Sequence, residues 1–503
     1  MARHIELERK YDAEADLALP DMRQVAGCAE VGPPRTHTLR ASYFDTEDLR
    51  LAARGITLRR RQGGTDEGWH LKLPIAKNTR QEIRAPLDAG VRDVPAELTD
   101  LVAAHVRGRP LVRVAELETR RTERGLLAED GTVLAELADD TVSARRLSQD
   151  GHEVGLLGWR EIEVEAVHGS GELLESIGDH LRDSGARESK VASKLARALD
   201  DDVVPLVRST ATRTAGDVLV TYLGEQVEQL LTYDPGVRLA ESDDDSVHKM
   251  RVSIRRIRSI LRTHRRLVEQ ARIPTLDAEL KWLADELGEV RDLEVQGARF
   301  DRRLADLPGA HQSPAWLLAM ADEEHRARDR VRQTLLSQRY YDLLDALDAF
   351  LAAPPLNARA GRSAKKETPK LVARTWRKMM KRYKRAEGLS AGQERDVALH
   401  GTRKAAKRAR YIAEAASSLG SPAAKLARRA ERLQDVLGAH HDSVVAAERL
   451  AATTDRPDTP AADTFIAGRL TEVEHREGAR VLERLPAAAK KAGRRKPLRK
   501  LGS

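Results

Sequence analysis

The sequence predicts an α+β N-terminal region, an antiparallel β-barrel enclosing a tunnel, followed by an all-α region made of a duplicated helical bundle. Three observations predict this. Short segments within residues 1–200 alternate apolar and charged side chains with a period of two. From about residue 209 the apolar spacing changes to three and four. Inside that second region one pattern occurs twice, about 150 residues apart.

A chain of 503 residues exceeds one ordinary core. Asp200-Asp201-Asp202 followed by Pro205 marks a boundary, giving domains at 1–204 and 209–485 and a basic tail at 486–503, in which Lys490 to Lys500 are expected to be disordered. The segment Pro354 to Pro369 divides the second domain into repeats at about 209–353 and 370–485. Expected strands are Ile5 to Tyr11, Ile56 to Arg61, Trp69 to Leu73, Val133 to Leu137 and Glu161 to Val167. Gly63-Gly64, Asp130-Gly131 and Gly155 punctuate them. Helices are expected near 172–182 and 188–199. In the helical region Asp234-Pro235-Gly236, Pro308-Gly309 and Ser421-Pro422 are expected breaks.

Charge separates the regions further. Residues 1–200 hold 30 basic and 36 acidic side chains, a balance of −6; the remainder holds 87−30 = 57 and 79−36 = 43, a balance of +14. The second part therefore has the electrostatics of a polyanion binder. No run of 18 apolar residues occurs, so no membrane-spanning helix is expected. The first residues lack the apolar stretch of a signal peptide, and Cys28 is the single cysteine, so a cytoplasmic location is expected and an intrachain disulfide is excluded. There is no GxxxxGK[ST] segment and no recognised DNA- or RNA-binding motif, which argues against a P-loop nucleotidase and against nucleic acid as partner.

In a strand, alternate side chains face opposite ways. Glu6, Glu8 and Lys10 thus share a face against Ile5 and Leu7. Arg59 and Arg61 align, Lys72 opposes Trp69, Leu71 and Leu73, and Glu161, Glu163 and Glu165 alternate with Ile162 and Val164. One such strand reads as a half-solvated surface. Five of them, some acidic and some basic, read as a closed barrel lined by both charges. Carboxylates hold Mg²⁺ or Mn²⁺ through oxygen, and Arg and Lys hold phosphate oxygens, so a metal-bridged phosphate chain needs both.

Glu6-Leu7-Glu8-Arg9-Lys10 resembles the ExExK signature of CYTH domains, the triphosphate tunnel metalloenzymes. Tyr43-Phe44-Asp45-Thr46, Leu58-Arg59-Arg60-Arg61, Trp69-His70-Leu71-Lys72, Arg120-Arg121, Ala138-Asp139-Asp140, Trp159-Arg160-Glu161-Ile162-Glu163 and Ser189-Lys190 follow in the family's order, over residues 3–200. The resemblance implies Glu6, Glu8, Asp139, Glu161 and Glu163 as metal ligands. It implies Lys10, Arg59, Arg61, Lys72, Arg121 and Lys190 as substrate contacts, with Glu82 supporting the cations and Lys10 and Glu8 as the catalytic pair. Arg120 stands open as an alternative to Arg121, Asp140 to Asp139, and Glu165 as a third inward carboxylate. The position where some members carry a lysine reads Glu118 or Thr119 here. Metal-dependent hydrolysis of inorganic triphosphate is the activity implied, with adenylate cyclase or thiamine triphosphatase chemistry as rivals. Which inward group acts on the attacking water stays open.

In the helical region His248, Arg251, Arg255, Arg258 and Arg262 lie three or four apart on one face. His400, Arg403, Lys407 and Arg410 repeat the stripe at an offset of 152. Leu287-Gly288 with Arg291-Asp292 recurs as Leu437-Gly438 with His441-Asp442 at 150. Like charges at this spacing repel, and an anionic ligand removes that penalty. Asp292 and Asp442 are candidates for holding the cations in position. A further cluster, Arg377-Lys378-Met379-Met380-Lys381-Arg382-Tyr383-Lys384-Arg385, is also basic. These units resemble the CHAD domain over about residues 210–455. The resemblance implies binding of inorganic polyphosphate by His248, Arg251, Arg255, Arg258, His400, Arg403, Lys407 and Arg410, and an association with polyphosphate granules. A purely non-catalytic polyphosphate-binding protein is the competing class. It gains nothing from carboxylates that repel phosphate.

Overall fold

In the computed structural model the chain forms two compact units, Met1–Arg208 and Ser209–Ser503. The structure describes residues 2–76, 78–87, 93–148, 151–199, 212–239, 245–269, 273–307, 313–454, 459–494 and 496–502. The expected break at Pro308-Gly309 and the boundary at Asp200 to Pro205 lie outside them.

The first unit contains β1 (Ala2–Ala13), β2 (Glu30–Val31), β3 (Arg35–Asp45), β4 (Thr57–Gln62), β5 (Gly68–Ala76) and β6 (Thr79–Ala85). Then come α1 (Ala96–Val106), β7 (Val112–Leu127), β8 (Val133–Leu147), β9 (Glu153–Ala166), α2 (Gly171–Asp183), β10 (Arg187–Glu188) and α3 (Lys194–Leu199). Eight antiparallel strands close a ring in the order β1-β6-β5-β4-β3-β7-β8-β9, with β9 returning to β1; β10 adds to β1 and β2 to β7. Closure removes free edges and gives every strand an inside and an outside.

The outer face is apolar where α2 covers it. Tyr11, Leu137, Ile162 and Val164 pack with Leu174, Ile177 and Leu181 of α2. A Cβ at Gly178 would lie 2.0 Å from the Tyr11 hydroxyl, so only glycine permits this approach. Inside one mouth, Leu195, Ala198 and Leu199 of α3 pack on Tyr43, Ala115, Leu117, Val142 and Ala144, plugging that end. Two expectations change here. The helix placed at 188–199 begins only at Lys194, because Arg187 and Glu188 pair with Asp12 and Tyr11 as β10. The strand-rich region also holds α1, whose Leu98, Leu101 and Val102 are buried at helical spacing.

The second unit is helical: α4 (Ala215–Leu239), α5 (Ser246–His264), α6 (Ile273–Ala305), α7 (Ala315–Leu335), α8 (Gln338–Ala352), α9 (Ala364–Glu387), α10 (Gln393–Ala415), α11 (Ser421–Thr454), α12 (Ala461–Leu482), α13 (Leu485–Gly493) and α14 (Lys496–Gly502). The series α4-α5-α6-α7 and α9-α10-α11-α12 each pack consecutively, and α5 meets α10. At the starts of α4 and α9, Ala215 N–H donates to Arg362 C=O and Ala364 N–H to Arg213 C=O, both at 2.9 Å. This exchange fixes an offset of 149 between those helices. Pro235 does not break α4. Its neighbour Asp234 is buried, taking hydrogen bonds from Arg238 and from the Tyr340 hydroxyl (2.8 Å), and this packing outweighs the helix bond lost at proline. The described residues of the basic tail are helical rather than disordered. Its helices α13 and α14 pack on α11, Leu485, Ala489 and Ala492 are buried, and the Trp376 indole donates to Ala492 C=O at 3.0 Å.

Candidate functional site

Inside the barrel the charged face of each strand meets the charged face of its neighbour. Opposed in register are Lys10 with Glu163, Arg121 with Asp140, Asp140 with Glu161, Lys72 with Glu82, and Glu6 with Arg80. Directly opposed residues share a face, so one inward residue carries its partners inward with it. The chamber so formed is narrow, about 60 Å³. Glu6, Glu8, Lys10, Arg59, Arg61 and Lys72 line it, with Arg121, Glu163 and Glu165 further round the wall.

Three carboxylates, Asp140, Glu161 and Glu163, each offer an oxygen within 4.8 Å of the others. Lys194 Nζ lies 2.9, 2.8 and 2.7 Å from them. Arg121 reaches Asp140 at 2.6 Å and Glu163 at 2.5 Å, and Lys10 reaches Glu163 at 2.7 Å. The hard-oxygen donor set, with a cation already accommodated among it, fits a divalent ion of the Mg²⁺ or Mn²⁺ kind. Glu6 and Glu8 line the same chamber from β1 but stand apart from that trio. Glu6 bonds Lys72 at 2.6 Å, and Glu8 lies 3.5 Å from Lys10 and 3.7 Å from Arg80.

The charges hold one another in their ionised states. Burial opposes the charge on Glu163, yet Lys10, Lys194 and Arg121 hold its carboxyl well below the usual range. Burial likewise opposes the charge on Lys10, yet Glu163 and Glu8 raise its pKa above the usual lysine value. Glu6 and Glu165 are exceptions: burial raises Glu6 despite Lys72, and burial, together with Glu6, pushes Glu165 up to about 7. Among the cations, burial with Arg59 and Arg121 nearby brings Arg61 down to about 9. Glu82 is buried and receives His70 Nδ1 at 2.8 Å, with Lys72 at 3.7 Å and the Arg84 guanidinium also against it.

Two expected residues are corrected. Asp139 is not inside the chamber. It opposes Ile162 rather than Glu161, and Arg160 binds it at 2.9 Å through both Nε and Nη2 while also donating to the carbonyls of Glu14, Ala15 and Leu17. Asp140 takes the inward position. Lys190 is exposed, and Lys194, the second Ser-Lys of the segment, is the lysine that enters the carboxylate group. Of the open pairs, Arg121 faces inward and Arg120 outward; Thr119, which shares the parity of Arg121, occupies the variable position. Arg80 also lines the chamber. Its signal was the alternation Arg80, Glu82, Arg84 around Gln81 and Ile83.

In the helical unit the two stripes meet where α5 crosses α10. The charges of Arg251 and Arg255 act directly on Arg403 and Lys407. The halves are built alike: Arg251 reaches Asp292 at 2.9 Å, and Arg403 reaches Asp442 at 3.5 Å. Each repeated glycine lies against one of these guanidiniums, closely at Gly288 and with ordinary contact distance at Gly438. A Cβ at Gly288 would meet Arg251 Nη2 at 3.0 Å, and one at Gly438 would meet Arg403 Nε at 3.6 Å. Burial, with Arg255, Arg403 and Arg251 nearby, brings Lys407 down to about 6. Burial and Arg291 bring His248 to about 4, and His400 packs against His441 with ring centroids 4.3 Å apart. Arg258 and Arg410 differ from the rest. Asp277 holds the first at 3.1 Å, and Glu414 and Glu431 hold the second at 2.7 and 2.8 Å.

The CYTH-domain model matches residues 4–199 and the CHAD-domain model residues 221–451. The uncharacterised protein Rv2226 of Mycobacterium tuberculosis is 38% identical over 505 aligned residues, spanning 97% of this chain and 96% of that protein. Among solved structures, PptA from Streptomyces chartreusis has a TM-score of 0.47 at 21% identity, covering 55% of this chain and 99% of that one. The CHAD domain from Ricinus communis has a TM-score of 0.46 at 25% identity, covering 56% and 95%. A closed barrel lined by both carboxylates and cations defines the class as a triphosphate tunnel. The chain belongs to the family that joins a CYTH domain to a CHAD domain.

Proposed function

We propose that the tunnel hydrolyses inorganic triphosphate, or a similarly short phosphate chain, with Mg²⁺ or Mn²⁺, and that the helical unit binds polyphosphate. CYTH-domain proteins are in general metal-dependent triphosphatases or cyclases. The observation that carries the hydrolytic reading is the opposed charge of one narrow chamber: Glu6, Glu8 and Glu163 line it together with Arg59, Arg61 and Lys72, and Glu163 joins it to the carboxylate group it forms with Asp140 and Glu161. Pockets for organic ligands are commonly about 300 Å³ or more. A chamber of about 60 Å³ suits a bare phosphate chain better than a nucleotide.

A bound divalent ion supplies neutralisation of phosphate oxygens and orientation of water; Asp140, Glu161 and Glu163 would hold it. Arg59 and Arg61 hold phosphoryl oxygens, and Arg59 is itself oriented by the Tyr43 hydroxyl at 3.5 Å. Lys72, tied to Glu6 and Glu82, adds a fixed positive charge where negative charge grows on the transferred phosphoryl group. Lys10 keeps its proton and balances Glu8 and Glu163 beside the same group. The helical reading rests on the crossing of Arg251 and Arg255 with Arg403 and Lys407, cations whose mutual repulsion a polyanion relieves.

Phosphate release from tripolyphosphate, ATP and thiamine triphosphate with Mg²⁺ or Mn²⁺ tests the tunnel. Tripolyphosphate is expected to turn over fastest, and Glu8→Gln to abolish its hydrolysis with the barrel still folded. Unchanged release by that variant refutes the assignment.

A further inference from the structure

The duplicated helical unit is symmetric at its centre and asymmetric beside it. A groove of about 840 Å³ lies between the C-terminal half of α5, the start of α6, α9 and α10. It contains most of the basic run at 377–385 that the paired motifs leave unused. Along α9, Arg374, Lys378, Lys381, Arg382 and Arg385 follow helical spacing on one exposed face, and Arg262 of α5, with Arg265 and Arg266 just beyond its C-terminus, also lines the groove. Nine of the sixteen lining residues are Arg or Lys, and Asp277 is the one carboxylate among the described lining residues. That carboxylate is taken up by Arg258 and Arg262 at 3.1 and 2.5 Å. Among the described residues the α9 cations of the groove have no carboxylate partner. Arg382 donates instead to Gly401 C=O at 3.1 Å.

The internal repeat supplies a control within the same molecule. At the offset of 149, the five α9 cations correspond to Glu225, Gln229, Thr232, Tyr233 and Gly236 of α4. At the offset of 152, Arg262, Arg265 and Arg266 correspond to Glu414, Ser417 and Ser418. None of these counterparts is basic. The position equivalent to Arg262 is closed: Glu414 is held by Arg256 at 3.1 Å, Arg410 at 2.7 Å and the Tyr222 hydroxyl at 3.2 Å. The central cations therefore stand in both halves, whereas these eight positions are basic on the groove side and not at their counterparts.

We infer that this groove is a second anion subsite that extends the central cluster in one direction, gripping the continuation of a condensed phosphate chain. The inference rests on the reading of the helical unit as a polyphosphate binder. Its ligand is a phosphate chain rather than a nucleic acid strand, because no aromatic side chain is among the described lining residues and single-stranded binders rely on aromatic stacking of bases. A chain that reaches the groove gains contacts that a short one, ending at the central cluster, does not.

The experiment uses the full chain, a labelled long polyphosphate and a salt series. Three proteins are compared: the parent, a groove variant (Lys378→Gln, Lys381→Gln, Arg385→Gln) and a central variant (Arg255→Gln, Lys407→Gln). All three replaced groove residues are exposed, and circular dichroism checks the fold. The groove variant is expected to bind at least about ten-fold more weakly. The slope of log affinity against log salt should become shallower by roughly two to three, close to one per cation removed. Parent-level affinity and slope in the groove variant, with the central variant impaired, overturns the subsite while leaving the parent reading intact. Absence of polyphosphate binding by the parent protein overturns the reading on which it rests. Displacement of the label from the parent but not from the groove variant by single-stranded DNA at equal phosphate concentration also overturns the inference, since the groove would then be a nucleic-acid site.

Discussion

Lys194→Met removes one ammonium from the carboxylate group and leaves the aliphatic stem in place. In the structure that ammonium lies within 2.7–2.9 Å of Asp140, Glu161 and Glu163. Breaking a buried ion network by removing one partner costs about 3–5 kcal/mol. Arg121 and Lys10 remain against the same carboxylates, so the lower figure, about 3 kcal/mol, applies. For a unit of roughly 200 residues each kcal/mol moves Tm by about 2–4 °C, giving a fall of about 6–12 °C in the barrel's transition in EDTA. A divalent ion at about one hundred times its Kd returns about 2.7 kcal/mol, nearly the whole loss. In the parent protein the same ion must compete with Lys194, so it stabilises less. Burial opposes the charge on Lys194, but Asp140, Glu163 and Glu161 raise its pKa above the usual lysine value. Its contribution is therefore complete at all pH values below the unfolded lysine pKa and is lost only as pH rises through the raised folded value. Calorimetry of the full chain at pH 7.5, with EDTA and with Mg²⁺, reads both effects. A barrel transition within about 2 °C of the parent in EDTA, or an equal response of the two proteins to Mg²⁺, would refute this account.

Asp140→Asn should weaken Mg²⁺ dependence of hydrolysis at least roughly ten-fold, while Asp139→Asn, which frees Arg160, should lower thermal stability and leave the metal titration unchanged. For Lys407, brought to about 6 by burial and Arg255, an incoming polyanion restores the proton. Polyphosphate affinity should then fall as pH rises from 6 to 8, by up to about ten-fold per unit, with Lys407→Arg flattening the profile above pH 7 in a fluorescence titration. Gly438→Ala has space beside Arg403 and should stabilise α11 by up to about 1 kcal/mol in a thermal melt without changing polyphosphate affinity. Gly288→Ala pushes against Arg251 at 3.0 Å and should weaken binding several-fold.

Alternation made most of the chamber legible. Glu6, Glu8, Lys10, Arg59, Arg61 and Lys72 all sit on the face their parity gave, because the opposite face of each strand carries apolar residues that fix the phase. The phase is lost at Leu137-Ala138-Asp139-Asp140-Thr141-Val142. There both faces of β8 are buried, Leu137 against α2 and Val142 toward α3, so adjacent acids cannot be sorted by polarity. Only the pairing with β9, Asp140 to Glu161, decides between them. The two Ser-Lys steps at 189–190 and 193–194 are alike locally. What separates them is Leu195, Ala198 and Leu199, whose helical spacing docks Lys194 into the barrel mouth and leaves Lys190 outside. In the helical unit the repeat was visible from the His and Arg spacing. The role of Leu-Gly was not, since it depends on a guanidinium from another helix lying against the glycine.

The two units treat charge in opposite ways. In the barrel Lys10, Lys72 and Lys194 each already have a carboxylate, so on the proposed reading a phosphate guest is admitted together with a metal ion. At the crossing of α5 and α10 the carboxylates are fewer than the cations. Asp292 and Asp442 each meet one arginine, while burial, with Arg255 and Arg403 nearby, lowers Lys407 to about 6. On the proposed reading such a site needs no metal to take an anion, and its affinity should vary with salt and pH. Chelation should accordingly separate the units within one polypeptide. EDTA should stop phosphate release and leave polyphosphate retention in place, because the cations of the helical unit are organised by backbone packing and by their own aspartates.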